Sequence, residues 1–249
     1  VKSNLTLVMV RIIAPNIPPK SRQITLSWRG IMRGVLRLTP MSIFVIPFGV
    51  GFGIAAIEQG LTVLQAMVLS VSVFSGAAQF AALEFWPKPV DLVSIALVMF
   101  AVNARHIVIG AALSPWLNQL PLWARWSALS LLSDPNFADS RPAFQSGERD
   151  AGILLGGGLI LWLNWVCGTA LGALAGAKIG DLQAYGFDVV MVCFFAAAIT
   201  GQLKQRSTIV PAILAFGIAV ATLGWLPTGW NIIVAALVGG IWGVLASAD

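Results

Sequence analysis

Residues 92–114 read LVSIALVMFAVNARHIVIGAALS, an apolar run whose one formal charge is Arg105. As a helix this run rises about 34 Å at 1.5 Å per residue, enough to cross roughly 30 Å of hydrocarbon. A soluble protein can bury such a helix only if the rest of the chain supplies a polar surface. It does not: 58% of the 249 residues are hydrophobic and 10% are charged, against about 45–50% and about 25% in ordinary soluble domains. The mean hydropathy of +0.87 agrees. A bilayer resolves the conflict by acting as solvent for the apolar faces, so the expected fold is all-α, a polytopic transmembrane helix bundle.

Outward from this run, further apolar segments fall at 38–57, 61–85, 121–140, 151–176, 186–203, 208–226 and 229–247. Segment 121–140 is the weakest, since it carries Arg125, Asp134 and Pro135. With all eight crossing and the N-terminus inside, Lys88, Arg141, Arg149, Lys204 and Arg206 lie on the inner side and only Lys178 on the outer. If 121–140 does not cross, four of these cations move outside, so the excess of inner Lys and Arg favours eight spans over seven. Both termini are then cytoplasmic. Residues 1–33 form a basic N-terminal arm and 34–249 the membrane domain. Interrupted helices are expected at Pro47, with its nearby glycines, and at Pro135, because proline withdraws a backbone donor.

The net charge of +5 does not indicate nucleic acid. Seven cations from Lys2 to Arg37, with no acidic residue among them, precede the first long apolar segment, a pattern that fixes orientation or meets anionic lipid. No cleavable signal peptide is expected, since the first residues lack a compact apolar core before a small-residue site. Cys167 and Cys193 lie in apolar segments outside any metal-ligand spacing and read as small buried hydrophobes. No HExxH, Walker loop, GxSxG or hydrolase-spaced carboxylate pair occurs, so neither an enzyme nor a cofactor is expected.

Polar residues within spans are costly and mark candidate sites. Ser72, Ser75, Gly76 and Gln79 share one helical face, either a packed helix contact or the lining of a pathway. Asn103, Arg105 and His106 interrupt the run quoted above, with Gly110 extending the face of Asn103 and His106. An arginine at that depth costs about 2.5–3.5 kcal/mol on insertion scales unless it pairs or reaches water. His106 is the only histidine, a residue type suited to carrying protons near neutral pH. Asp134 and Asp188 are the counter-charges available to Arg105, and sequence leaves open which one pairs with it. Trp162, Trp165, Thr169 and Gly172 mark another face, read as the wall of an apolar pocket or as ordinary packing. Gly49 and Gly53, Gly168, Gly172 and Gly176, and Gly239 and Gly243 have the four-residue spacing of close helix contacts. Trp86, Trp116, Trp123, Trp225 and Trp230 fall near segment ends, where indoles favour the headgroup level.

The motifs PFGVGFG (47–53), SGAAQF (75–80), NARH (103–106), SDPNFA (133–138), WLNWVCGTALGAL (162–174) and GFDVV (186–190) resemble, in order, those of the AzlC family, the large subunits of branched-chain amino-acid exporters. Pro135 departs from the family, which often has an acidic residue after the aspartate. The resemblance implies an inner-membrane permease that exports leucine, isoleucine, valine and sometimes methionine, together with a small membrane partner of the AzlD type. An aliphatic zwitterion would then find its carboxylate site among Arg105, Ser75, Gln79 and helix-end backbone groups, with Gly76 and Asn103 also lining the substrate site. Its ammonium would face Asp134 or Asp188, its side chain Trp162 and Trp165, and a coupling proton would sit on His106 or an aspartate. A passive channel or a non-transporting membrane scaffold is the alternative, separated from an exporter by concentrative flux.

Overall fold

The computed structural model describes residues 23–86, 92–179, 206–226 and 230–246, with residue 196 alone between them. Regular structure among these residues is helical, and the one β-type pairing is an isolated parallel bridge between Thr25 and Asp150. The helices are α1 (Trp28–Ile43), α2 (Val45–Glu58), α3 (Val63–Ser72), α4 (Gly76–Leu83), α5 (Leu92–Asn103), α6 (Arg105–Leu117), α7 (Leu122–Ser130), α8 (Asp134–Gln145), α9 (Gly152–Ile179), α10 (Arg206–Ala221) and α11 (Trp230–Ala246). Two stretches are long and apolar enough to cross a membrane, Leu92–Leu117 and Gly152–Lys178, and the bent pair α1–α2 makes a third if taken as one span. Segment 186–203 lies outside the described residues.

The axis of the bundle is α9, 28 residues without a break. Along it runs the α1–α2 pair, bent by 59°. The bend falls at Phe44, and the cause is Pro47, which has no N–H to give to the Ile43 carbonyl. The pair and α9 run parallel. Gly30 meets Asp150, Gly34 meets Ile153 and Gly157, Gly49 meets Trp165 and Gly168, and Gly53 meets Thr169 and Gly172. A Cβ on Gly49 would stand 2.7 Å from the Trp165 carbonyl oxygen, and one on Gly168 would stand 2.5 Å from that of Ile46. Only hydrogen at these positions lets the two backbones touch. Gly239 meets Pro211 and Ala215 in the same way between α11 and α10.

Both N-termini of this parallel pair are tied by one side chain. Asp150, 9% exposed, accepts from the Ser27 N–H at 3.0 Å, from the Gly152 N–H at 2.9 Å and from the Ser27 hydroxyl. Ser27 in turn caps α1 by accepting from the Gly30 N–H at 3.0 Å. Burial pushes the Asp150 carboxyl upward, but the Ser27 and Gly152 donors and the nearby Arg33 more than offset this and hold it below the ordinary aspartate range. The folded chain therefore begins before residue 34: Ile24 is buried and residues 28–33 are helical.

Two further expectations need correction. Cys167 is exposed, not buried, because it lies on the outward stripe of α9 with Leu163, Leu171 and Leu174. Cys193 lies outside the described residues. Trp116 is 2% exposed and stacks on Phe144 at 5.6 Å, so its ring belongs to a core between α6 and α8. Trp123, Trp225 and Trp230 are exposed.

Candidate functional site

Three chain interruptions surround the polar residues singled out above. The first is the extended stretch between α3 and α4, with Ser75 at the N-cap of α4. Helix ends leave carbonyls short of intrahelical donors, and here neighbouring side chains add to the backbone donors that Val73 gives Leu69 and Ser75 gives Val73. Gln79, fully buried, donates to the Leu69 carbonyl at 3.2 Å and to that of Val73. The Trp162 indole N–H donates to the Val71 carbonyl at 3.2 Å. Trp165 donates to the Gln79 amide oxygen at 2.9 Å, stacks on Phe52 and fills the space a Cβ on Gly76 would need, 2.6 Å away. Gln79, Gly76 and Trp165 are thus brought together, but as a packed and hydrogen-bonded clasp around the interruption. Ser70 and Thr169 share a buried hydroxyl contact of 2.9 Å in the same seam.

The second interruption is Ala104, between α5 and α6, where the NARH motif sits. The His106 Nδ1 lies 3.2 Å from the Asn103 carbonyl oxygen. The third separates α7 from α8. Pro135 stands in the first turn of α8, where a missing N–H is tolerated. The donor it withholds from the Leu131 carbonyl is replaced by Asn136, whose amide reaches Leu131 at 3.4 Å and the Leu154 carbonyl of α9 at 2.8 Å.

These last two interruptions meet in an ion pair. Arg105 NH1 lies 2.9 Å from an Asp134 carboxylate oxygen, with the side chains 38% and 50% exposed on the protein surface. Asp134 opens α8, where the helix dipole favours a carboxylate. The helix that follows the first interruption, α4, packs with α5 in a cluster that holds Ala82, Phe85, Ile95 and Val98.

Four buried polar atoms in these interruptions have no hydrogen-bond partner among the described residues: Ser75 Oγ, Asn103 Oδ1, Arg105 Nε and Ser133 Oγ. Such atoms are rare in folded proteins and call for water or a ligand. Five others lie elsewhere, on Glu58, Trp116, Arg125, Arg141 and Arg149. Ser133 and Asn136 were missed in the sequence, although a serine ahead of Asp-Pro is a helix-start signal. Asp188 lies outside the described residues. No group of metal-ligating side chains occurs among the described residues.

A helical bundle with long apolar helices, polar chain interruptions and an ion pair at the ends of two of its helices is the build of a polytopic membrane protein. Relatives support the class. A membrane protein of Archaeoglobus fulgidus is 31% identical over 211 residues, 83% of this chain and 91% of that one. The inner membrane protein YgaZ of Escherichia coli is 27% identical over 79% of this chain and 83% of its own. The branched-chain amino acid transport protein AzlC of Bacillus subtilis is 23% identical over 70% of this chain and 68% of its own. No solved structure matches. The model of the AzlC protein family matches residues 40–179, and the chain belongs to that family.

Proposed function

We propose that the chain is the large subunit of a secondary exporter of branched-chain and other aliphatic amino acids in the cytoplasmic membrane. It crosses eight times with both termini inside and works with a small AzlD-type membrane partner. The observation that carries this reading is the Arg105–Asp134 pair at the junction of two interrupted helices. Together these groups present both charges that an amino-acid zwitterion requires, and broken helices at the bilayer midplane are the usual frame of such sites in transporters.

The parallel course of α1–α2 and α9 supports the span count. Two parallel spans are separated by an odd number of crossings. Segments 61–85, 92–114 and 121–140 supply three, whereas omitting 121–140 would leave two and turn α9 around. The Bacillus relative is named for branched-chain amino acid transport, which favours an aliphatic substrate. The role of each residue sharpens accordingly. Arg105 and Asn103 take the carboxylate together with Ser75, Asp134 takes the ammonium, and His106 is the proton carrier. Gln79, Gly76 and Trp165 hold the α3–α4 interruption open.

The test is growth on a toxic leucine analogue, with and without the small partner. Resistance that depends on the chain and on Arg105 is the expected result. A passive channel would equilibrate valine but never concentrate it, and a scaffold would move none. Chemistry on the substrate is not part of the reading.

A further inference from the structure

The ion pair at Asp134 has a cavity beneath it on α8. Asp134, Ala138 and Pro142 are spaced by four and share one face of that helix. The last two line an open cavity of about 810 Å³, together with Arg37, Asp139, Ser146 and Glu148. The cavity thus starts one helical turn, about 6 Å, from Asp134. It extends toward the loop at 146–151, the end of the bundle where α1 and α9 begin.

What spans this cavity is charge. Arg37 of α1 grips Asp139 of α8 through two bonds, Nε to Oδ2 at 3.1 Å and NH2 to Oδ1 at 2.8 Å. One turn earlier on α1, Arg33 reaches Glu148 at 2.7 Å and Asp150 at 3.6 Å. The backbone of α1 packs on α9 through glycines, its Arg37 joins it to α8, and its Arg33 joins it to the loop that follows α8. Deeper in, buried Leu38 of α1 and Asn136 of α8 meet at Gly157 of α9. The two ion pairs remain partly hydrated, with Arg37 46% and Asp139 24% exposed.

We propose that this cavity is the cytoplasmic vestibule leading to Arg105 and Asp134, and that the Arg37–Asp139 pair is the gate across it. A zwitterion suits such a gate, because its carboxylate takes over Arg37 while its ammonium takes over Asp139, so neither charge of the gate is left unpaired when it opens. A cation or an anion replaces only one partner. The inference rests on the proposed orientation, with the α1 and α9 N-termini inside.

The test uses the full chain with its two cysteines replaced (Cys167→Ser, Cys193→Ala) and Ser133→Cys introduced, next to Asp134 where the serine Oγ is buried, labelled by a membrane-impermeant thiol reagent. Labelling is expected in inside-out vesicles and absent in right-side-out ones. Arg37→Gln or Asp139→Asn is expected to raise the rate at least fivefold. The exchange Arg37→Asp with Asp139→Arg should return the rate toward that of the parent. Should Arg37→Gln fail to insert, Arg37→Lys, which keeps the charge but loses the two-bond grip, is read in its place and should label faster than the parent. Labelling from the outer face, or a rate indifferent to breaking the pair, overturns the proposal. No amino acid is transported in this assay, so a negative result here leaves the export reading to its own test, and the reverse holds too.

Discussion

Arg105 and Asp134 are 2.9 Å apart although 28 residues lie between them in sequence. Each stands at the first position of its helix, α6 and α8. Of the two candidate aspartates, Asp134 meets the guanidinium, and Asp188 lies outside the described residues. Removing either partner takes away one of the two opposite charges that the proposed zwitterion site presents. Arg105→Ala and Asp134→Ala are therefore each expected to lower amino-acid efflux at least tenfold while the protein remains in the membrane. Efflux from loaded cells, normalised to membrane-fraction immunoblots, checks this.

Gln79 makes two donor bonds to carbonyls and accepts one from Trp165. Gln79→Leu leaves the buried Trp165 indole N–H without its acceptor, at about 1–3 kcal/mol, while the Leu69 and Val73 carbonyls keep their backbone donors from Val73 and Ser75. A lowered melting temperature in detergent is the expected outcome, with Gln79→Glu also destabilised because it loses both donors. Wild-type stability in Gln79→Leu would remove the clasp from the account.

Much of this was legible in sequence, and the reasons differ by residue. The apolar runs and Pro47 announced a bent membrane helix, since proline's missing donor acts locally. The spacing of Gly49, Gly53, Gly168 and Gly172 announced a close contact, though not that these four would meet one another in parallel. Arg105 demanded a partner on electrostatic grounds alone. What could not be read was the use of Gln79 and Trp165, because a buried amide bonded to carbonyls and one facing a ligand look alike in sequence. Asp150 escaped for a similar reason: it resembles any loop carboxylate until the fold brings two helix starts to it.

Gly49 faces the Trp165 carbonyl oxygen at a would-be Cβ distance of 2.7 Å. Gly49→Ala should force the α2 and α9 backbones apart and cost about 1–3 kcal/mol, the usual range for overpacking. Gly217, with nothing within 4 Å of its would-be Cβ, is the control: alanine there should be neutral or mildly stabilising, since it favours the helix. Paired thermal melts of the two variants read the difference.

Asp150 and Glu148 are both held below their ordinary values of 3.8 and 4.5. For Glu148, burial works upward and is outweighed by the Asp150 and Arg149 backbone donors and by Arg33. A carboxyl lowered in the folded state binds protons less readily there than when unfolded. Its contribution to stability is therefore complete above the ordinary value and drains away as pH falls through the folded value. Unfolding midpoints in detergent should be level near neutrality and fall below about pH 4. Asp150→Asn should lower the plateau and flatten the decline.

The most direct measurement is leucine accumulation in energised inside-out vesicles carrying the chain and the proposed AzlD-type partner, where export appears as uptake. Vesicles with the native chain are expected to concentrate leucine above the medium, and those with Arg105→Ala or Asp134→Ala to hold no more than vesicles lacking the chain. Accumulation by a correctly inserted Arg105→Ala protein at the native level would contradict the ion pair as the transport site.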